Sequence, residues 1–321
     1  MKNMPKRFNY QSTAGSRWIS FVYVALVIGS MSVYATNIEW SAATMARSLQ
    51  SSPEIVAAIV IGVATRFALA LNWARILHKM VPLGTISFSR AVRTYAASWL
   101  GRYIPGKVAP YLVRISRSRS IGATPAHAAT TSLVETVLQL VVFTSLAVIG
   151  VLVFSLWPTQ NDVGLFLLGA GVLLAWVATI PRLFVFLAQP LGRLRGIRKL
   201  TVSDVPSLIS NGQTIAVMVL VAILNGVFLF LITGSVTETK YSLTTLLMFV
   251  LLAALASAGA LLAFFAPGGL GVVELVIVTG LLNVGIPAED ALSAAFLWRF
   301  AALISDVSFW SLSMLLNQSS R

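Results

Sequence analysis

One stretch limits what this chain can become: residues 264–306, "FFAPGGLGVVELVIVTGLLNVGIPAEDALSAAFLWRFAALISD". Pro267-Gly268-Gly269-Leu270-Gly271 breaks apolar sequence that is otherwise long enough to cross a bilayer. Glu274 follows at once, and the next apolar segment carries Arg299 and Asp306. Broken backbone and charge at membrane depth are tolerated where protein buries them or where they line a cavity, not against lipid. The rest of the chain therefore has to build such a place.

Composition agrees with a bilayer setting. Of 321 residues, 57% are hydrophobic and 10% charged, against about 25% charged in a soluble domain. The net charge of +13 would point to nucleic acid in a soluble protein. Here the Lys and Arg sit in a few loops, as the positive-inside rule expects, and nucleic acid is not an expected partner. There is no cysteine, and the two histidines, His78 and His127, stand far apart. No metal, cofactor or thiol chemistry is expected. No nucleophile–base pair stands out, so an enzyme is not expected either.

The fold class expected is an all-α polytopic membrane protein with about six transmembrane helices and two re-entrant broken hairpins. A basic tail, 1–16, precedes an apolar segment at 17–36 that reads as an uncleaved first span, with the N-terminus in the cytoplasm. Further spans are expected near 53–77, 125–157, 163–187, 213–234 and 288–316, all in one transmembrane domain over 17–316, with a polar tail at 317–321. Residues 85–120 hold no uninterrupted apolar run of about 20. Two short helices there flank Pro105-Gly106-Lys107, either as a surface amphipathic pair or as a hairpin dipping into the membrane. Residues 242–284 form the second hairpin, unless 242–266 spans fully, which would change the side of the last helix.

Two parts of the chain, about 53–157 and 213–316, follow one plan. The first has "LNW" with Asn72, a break at Pro105-Gly106, a "GATPAHA" turn and a helix with Glu135. The second has "LNG" with Asn225, a break at Pro267-Gly268, a "GIPAEDA" turn and a helix with Arg299. By the charge rule the two copies have inverted topology, a plan common among transporters whose broken helices meet near the midplane.

Arg66, Glu135, Glu274, Arg299 and Asp306 lie at or near membrane depth. Each would cost about 2.5–3.5 kcal/mol if left unpaired at a helix centre, so they must be paired, hydrated or facing a cavity. Glu135 and Arg299 hold similar places in the two copies, and a pair between them is expected. Thr131, Glu135 and Gln139 are four apart and share a helix face. Lys107, Arg102 and Arg114 near the first break, and Gly268 and Gly269 at the second, suit an anionic head group. A plainer role stands beside each: buried ion pairs can simply fix packing, Glu274 sits at a helix start where the dipole favours it, and Arg117 and Arg119 suit an anionic lipid surface.

"PGGLGVVE", then "GIPAEDA" and "LWR", with "RYIPGK" upstream, resembles the lysylphosphatidylglycerol synthase transmembrane family, the flippase-like domains of multiple peptide resistance factor proteins and their stand-alone relatives. The resemblance implies a flippase in a bacterial inner membrane that moves modified lipids between leaflets. In two-domain members a soluble aminoacyl-transferase follows the membrane part; these 321 residues hold none, and lysyl transfer is not expected of them. The expected partners are membrane lipids and their anionic head groups, with a homo-oligomer or a lipid-modifying enzyme as further possibilities. The substrate would be an anionic or modified phospholipid, or a polyprenyl-phosphate-linked glycolipid. Two other readings stay open: a non-transporting accessory of a lipid- or glycan-modifying enzyme, and a proton-coupled small-solute transporter.

Overall fold

The computed structural model describes residues 52–81, 86–104, 108–154, 212–237, 242–263 and 266–316, together with Gly169 and Trp176. The expected spans at 17–36 and 163–187, both tails and the Pro105-Gly106-Lys107 break lie outside the described residues. What is described is helical: α1 (Ser52–Met80), α2 (Phe88–Trp99), α3 (Ala109–Arg117), α4 (Pro125–Phe154), α5 (Gly212–Gly234), α6 (Leu243–Leu262), α7 (Val272–Asn283) and α8 (Ala288–Leu315). Short 3-10 turns occupy Leu100–Tyr103, Ser118–Ile121 and Pro267–Gly269. Among the described residues, five helices (α1, α4, α5, α6 and α8) are long and apolar enough to cross a membrane. The all-α polytopic reading is therefore correct. Four of those five coincide with expected spans. The fifth, α6, was expected as one arm of a hairpin, yet its 20 residues are enough by length and composition to cross by themselves.

The ends of these helices follow local chemistry. In α1, Glu54 lies in the first turn and His78 and Lys79 in the last, which complements the helix dipole. The Ser242 hydroxyl accepts from the Thr245 N–H at 3.0 Å and caps α6. At the start of α7 the Gly271 N–H donates to Glu274 Oε2 at 2.8 Å, so the acid closes its own helix start.

The relative directions of three long helices follow from their contacts. The start of α1 packs with the end of α5, since Ala58 and Ile232 share a buried cluster with Ala301 and Ala302. α1 and α5 are thus antiparallel. α8 runs beside α1 in the same direction: Ser305 Oγ donates to the Ile59 carbonyl at 3.2 Å, and Phe67 meets Phe309 edge-on at 4.8 Å. The α2–α3 hairpin packs on α1, α4 and α8, while α6 and α7 pack on α5, α4 and α8. Ala91, Tyr95 and Ala96 are completely buried, so one face of α2 packs against the rest of the bundle. At their tips, the turn at Leu100–Tyr103 rests against the turn at Pro267–Gly269.

The turns that follow the hairpins are alike bond for bond. Gly122 and Gly285 both have φ of 86°. The Ala123 N–H reaches the Ser118 carbonyl and the Ile286 N–H the Leu281 carbonyl, each at 3.0 Å and each five residues back. This is the left-handed termination that glycine favours, and it turns the chain into α4 in one case and α8 in the other.

Close approach explains two other glycines. A Cβ on Gly226 would fall 2.4 Å from the Val250 Cα, so α5 and α6 touch backbone to backbone. At Gly269, φ is 71° and a Cβ would lie 2.8 Å from that of Ala260, which seats the second break tightly on α6.

Candidate functional site

The buried charges are grouped where the two tips meet. Asp306, 1% exposed in the middle of α8, binds donors from three elements. Arg66 Nε of α1 donates to its Oδ1 at 2.6 Å and Trp99 Nε1 of α2 to the same oxygen at 2.9 Å. Tyr103 Oη in the 3-10 turn donates to Oδ2 at 2.5 Å. Arg102 Nη1 stands 3.9 Å from Oδ2, with its guanidinium 4.8 Å from the Trp99 ring centre. Arg66 also donates to the carbonyls of Gly62 and Ala302. One carboxylate therefore ties the first hairpin to both α1 and α8.

Glu135, on α4, closes a second group. Arg114 Nη1 donates to its Oε2 at 2.6 Å and Tyr95 Oη to its Oε1 at 2.8 Å. Arg114 Nε donates to Ser98 Oγ at 2.9 Å, and Ser132 Oγ accepts from both Arg114 Nη1 and Trp73 Nε1. The Arg114 guanidinium also lies 4.0 Å from the Tyr95 ring centre and 5.4 Å from that of Trp73. Stacking on an aromatic face suits an arginine withdrawn from water.

The third group is at the second break. Arg299 Nε donates to Glu274 Oε1, and Arg299 Nη1 donates to the Gly268 carbonyl at 3.1 Å. Its Nη2 is buried and has no hydrogen-bond partner among the described residues.

Between the groups is a cavity of about 210 Å³. Both tips contribute to its wall: Arg102 and Tyr103 from the first, Gly268 and Gly269 from the second. Arg66, Arg114, Glu135 and Arg299 line it from the surrounding helices, and Gln139 of α4 and Asn225 of α5 add uncharged polar groups.

The sequence-derived site residues separate accordingly. Arg66, Arg102, Arg114, Glu135, Gln139, Asn225, Gly268, Gly269 and Arg299 are on the cavity wall. Asp306 and Glu274 are behind it, each bonded to a lining arginine. Asn72 is buried but is not part of the wall, unlike Asn225. Lys107 lies outside the described residues. The expected Glu135–Arg299 pair does not form. Each of the two pairs instead with the second arm of the hairpin just before it in the chain, Glu135 with Arg114 and Arg299 with Glu274. The reason is proximity: each hairpin folds against the helix that follows its own turn, and its own charge arrives first.

Tyr95, Trp99 and Tyr103 were missed from the sequence. They are spaced four apart, Tyr95 and Trp99 on one face of α2 and Tyr103 in the 3-10 turn that continues it. They supply an O–H to Glu135, an N–H to Asp306 and an O–H to Asp306 in turn.

No curated protein and no solved structure was found to match the chain. The family described as the lysylphosphatidylglycerol synthase TM region matches residues 18–307, a span that takes in both hairpins and every charged group of the cavity. The protein is a multi-pass membrane protein, and it belongs to the lysylphosphatidylglycerol synthase transmembrane-region family.

Proposed function

We propose that this protein is a lipid translocase. The polar head group occupies the cavity while the acyl chains stay in the bilayer. The observation that carries this reading is that both hairpin tips wall the same cavity, which four arginines and Glu135 also line. A site at the meeting point of two hairpin tips can be opened to one leaflet or the other by moving one tip at a time, in the manner of transporters built from inverted repeats. The family to which the chain belongs is in keeping with such a lipid-related role. Candidate substrates are anionic or modified phospholipids and polyprenyl-phosphate-linked glycolipids, and the proposed location is a bacterial inner membrane.

The ion pairs suit this task. Tip positions held by a few charged bonds at low dielectric have discrete arrangements rather than a continuum, as bistable switching elements require. The test is a leaflet-resolved lipid assay in proteoliposomes. Faster exchange of at least one lipid class than in empty vesicles is expected; equal rates across all classes would sink the proposal.

A further inference from the structure

Resting on the translocase reading, we propose that Glu135 is a proton-binding site, and that loading it loosens the first hairpin and couples lipid movement to a proton gradient. Among the described residues, Glu135 is the one carboxylate on the cavity wall, so a proton arriving through the cavity meets it first. Its two oxygens have different partners. Oε2 accepts from Arg114 Nη1 at 2.6 Å and Oε1 from Tyr95 Oη at 2.8 Å. A guanidinium only donates, whereas a tyrosine hydroxyl both donates and accepts. The proton therefore enters on Oε1, and the carboxylate becomes a carboxylic acid. Its new O–H donates to Tyr95 Oη, and the Tyr95 O–H turns toward the cavity that Tyr95 also lines. Oε2 stays an acceptor for Arg114. Arg114 in turn keeps Ser98 and Ser132 as acceptors, and it keeps its places 4.0 Å and 5.4 Å from the ring centres of Tyr95 and Trp73. What is lost is the charge attraction that holds α3 to α4.

The other two acids of the site are placed to stay ionised. Asp306 has Arg66 at 2.6 Å and Arg102 at 3.9 Å, and its Oδ1 meets Arg66 Nε and Trp99 Nε1, which can only donate. Glu274 meets Arg299 Nε and the Gly271 N–H, and neither can accept. Both acids lie behind the wall. The charged and titratable groups around Glu135 come from several elements. α3 brings Tyr111, bonded to Thr136 at 2.8 Å, besides Arg114. Arg66 of α1, Arg102 of the first tip and Arg299 of α8 share the cavity wall with Glu135. Arg119, in the 3-10 turn packed on α4, is exposed. α5 and α6 also pack on α4 and carry no titratable side chain. On α4 itself, His127 lies about two turns earlier. Among the described residues, Arg114 is the cation that pairs with Glu135, so a single proton cancels the pair.

The experiment has two readouts on the full chain. The first is difference infrared spectroscopy of the purified protein in detergent during a pH titration. It reads the carbonyl band of a protonated carboxyl shielded from water, which stands apart from that of exposed acids. A titrating band is expected in the wild type and in Glu289→Gln, a change at an exposed acid in the first turn of α8. It is expected to be absent from Glu135→Gln, which copies the hydrogen bonding of the neutral acid. It is also expected to be absent from Arg114→Met/Glu135→Leu, which stands in if the single variant does not fold. No titrating band in the wild type, or a band that persists in these variants, would overturn the seat. The second readout is the leaflet assay with acyl-labelled phosphatidylglycerol and phosphatidylethanolamine, at equal pH on both faces and under a gradient of about one pH unit. One proton per lipid then permits up to about tenfold accumulation of label in one leaflet. The wild type is expected to accumulate label several-fold under the gradient alone, and both Glu135 variants to leave it even. Exchange faster than in empty vesicles but even under the gradient would overturn the coupling and leave the translocase reading standing. Exchange at the empty-vesicle rate in every condition would strike the translocase reading itself, and the infrared band would still decide the proton site.

Discussion

The two ion pairs beside the cavity each join a helix before a glycine turn to the helix after it, with the charges exchanged. In the first, the hairpin supplies the cation, Arg114, and the following helix the anion, Glu135. In the second, the hairpin supplies the anion, Glu274, and the following helix the cation, Arg299. Their surroundings differ more than their geometry. Arg114 and Glu135 sit among Tyr95, Ser98, Ser132 and Trp73. The Glu274 side chain is 15% exposed, and Arg299 keeps an unspent N–H group. The first pair is a closed clamp that fixes a short hairpin. The second holds its hairpin and retains capacity to bind something else. A like position thus need not mean a like duty.

Breaking the clamp is expected to have the largest effect. Glu135→Ala leaves Arg114 buried without a counter-charge, a change of about 3–5 kcal/mol. Thermal unfolding in detergent should show it, and the double variant Arg114→Met/Glu135→Leu should recover most of the loss, because well-packed apolar replacements of buried pairs are often neutral. A double variant as unstable as the single would mean that the surrounding hydrogen bonds, rather than the pair, hold the hairpin.

Asp306→Asn comes next. It retains one acceptor oxygen, for either Tyr103 or Trp99 but not both, and withdraws the charge facing Arg66. A loss of about 3 kcal/mol is expected, with protease cleavage rising first in the α2–α3 hairpin. Cleavage that rises first at α7 would show that Asp306 serves the second hairpin instead.

Gly269→Ala tests the second tip without touching a charge. With φ at 71° and Ala260 2.8 Å away, a loss of about 2 kcal/mol is expected, together with slower lipid exchange. Wild-type exchange in this variant would mean that the tip's seat on α6 plays no part in transport. The smallest effect is expected for Gln139→Ala. Gln139 is half-buried on the cavity wall, and its stability change should stay within about 0.5 kcal/mol. A larger loss would place Gln139 in the clamp.

Much of this was readable in the chain. The proline and glycines at 267–271 located the interruption between α6 and α7, because backbone chemistry is local. The glycine turns at 122 and 285 were readable for the same reason. Charges at depth marked Arg66, Glu135, Arg299 and Asp306, because lipid makes charge expensive wherever it occurs. Partnership was not legible. Asp306 and Arg66 are 240 residues apart, and no local rule selects that pair over Glu135 with Arg299. Arg114 was marked as a candidate for an anionic head group, but its bond to Glu135 on α4 was not readable. Tyr95, Trp99 and Tyr103 were hidden because aromatic residues in apolar sequence look like core. Their polar atoms matter only once a carboxylate is known to lie opposite. Nor could length alone decide whether α6 crosses, since 20 apolar residues serve equally as a span or as a long arm.

The central claim is that a lipid head group passes between the two tips. The chain contains no cysteine, so one cysteine in 100–103 and one in 267–269 can be joined by a short thiol-reactive linker with a cleavable bond. If the tips must part for the head group to move, lipid exchange in proteoliposomes falls to the empty-vesicle rate when they are linked and returns on cleavage. Exchange at the unlinked rate in fully cross-linked protein would contradict the account.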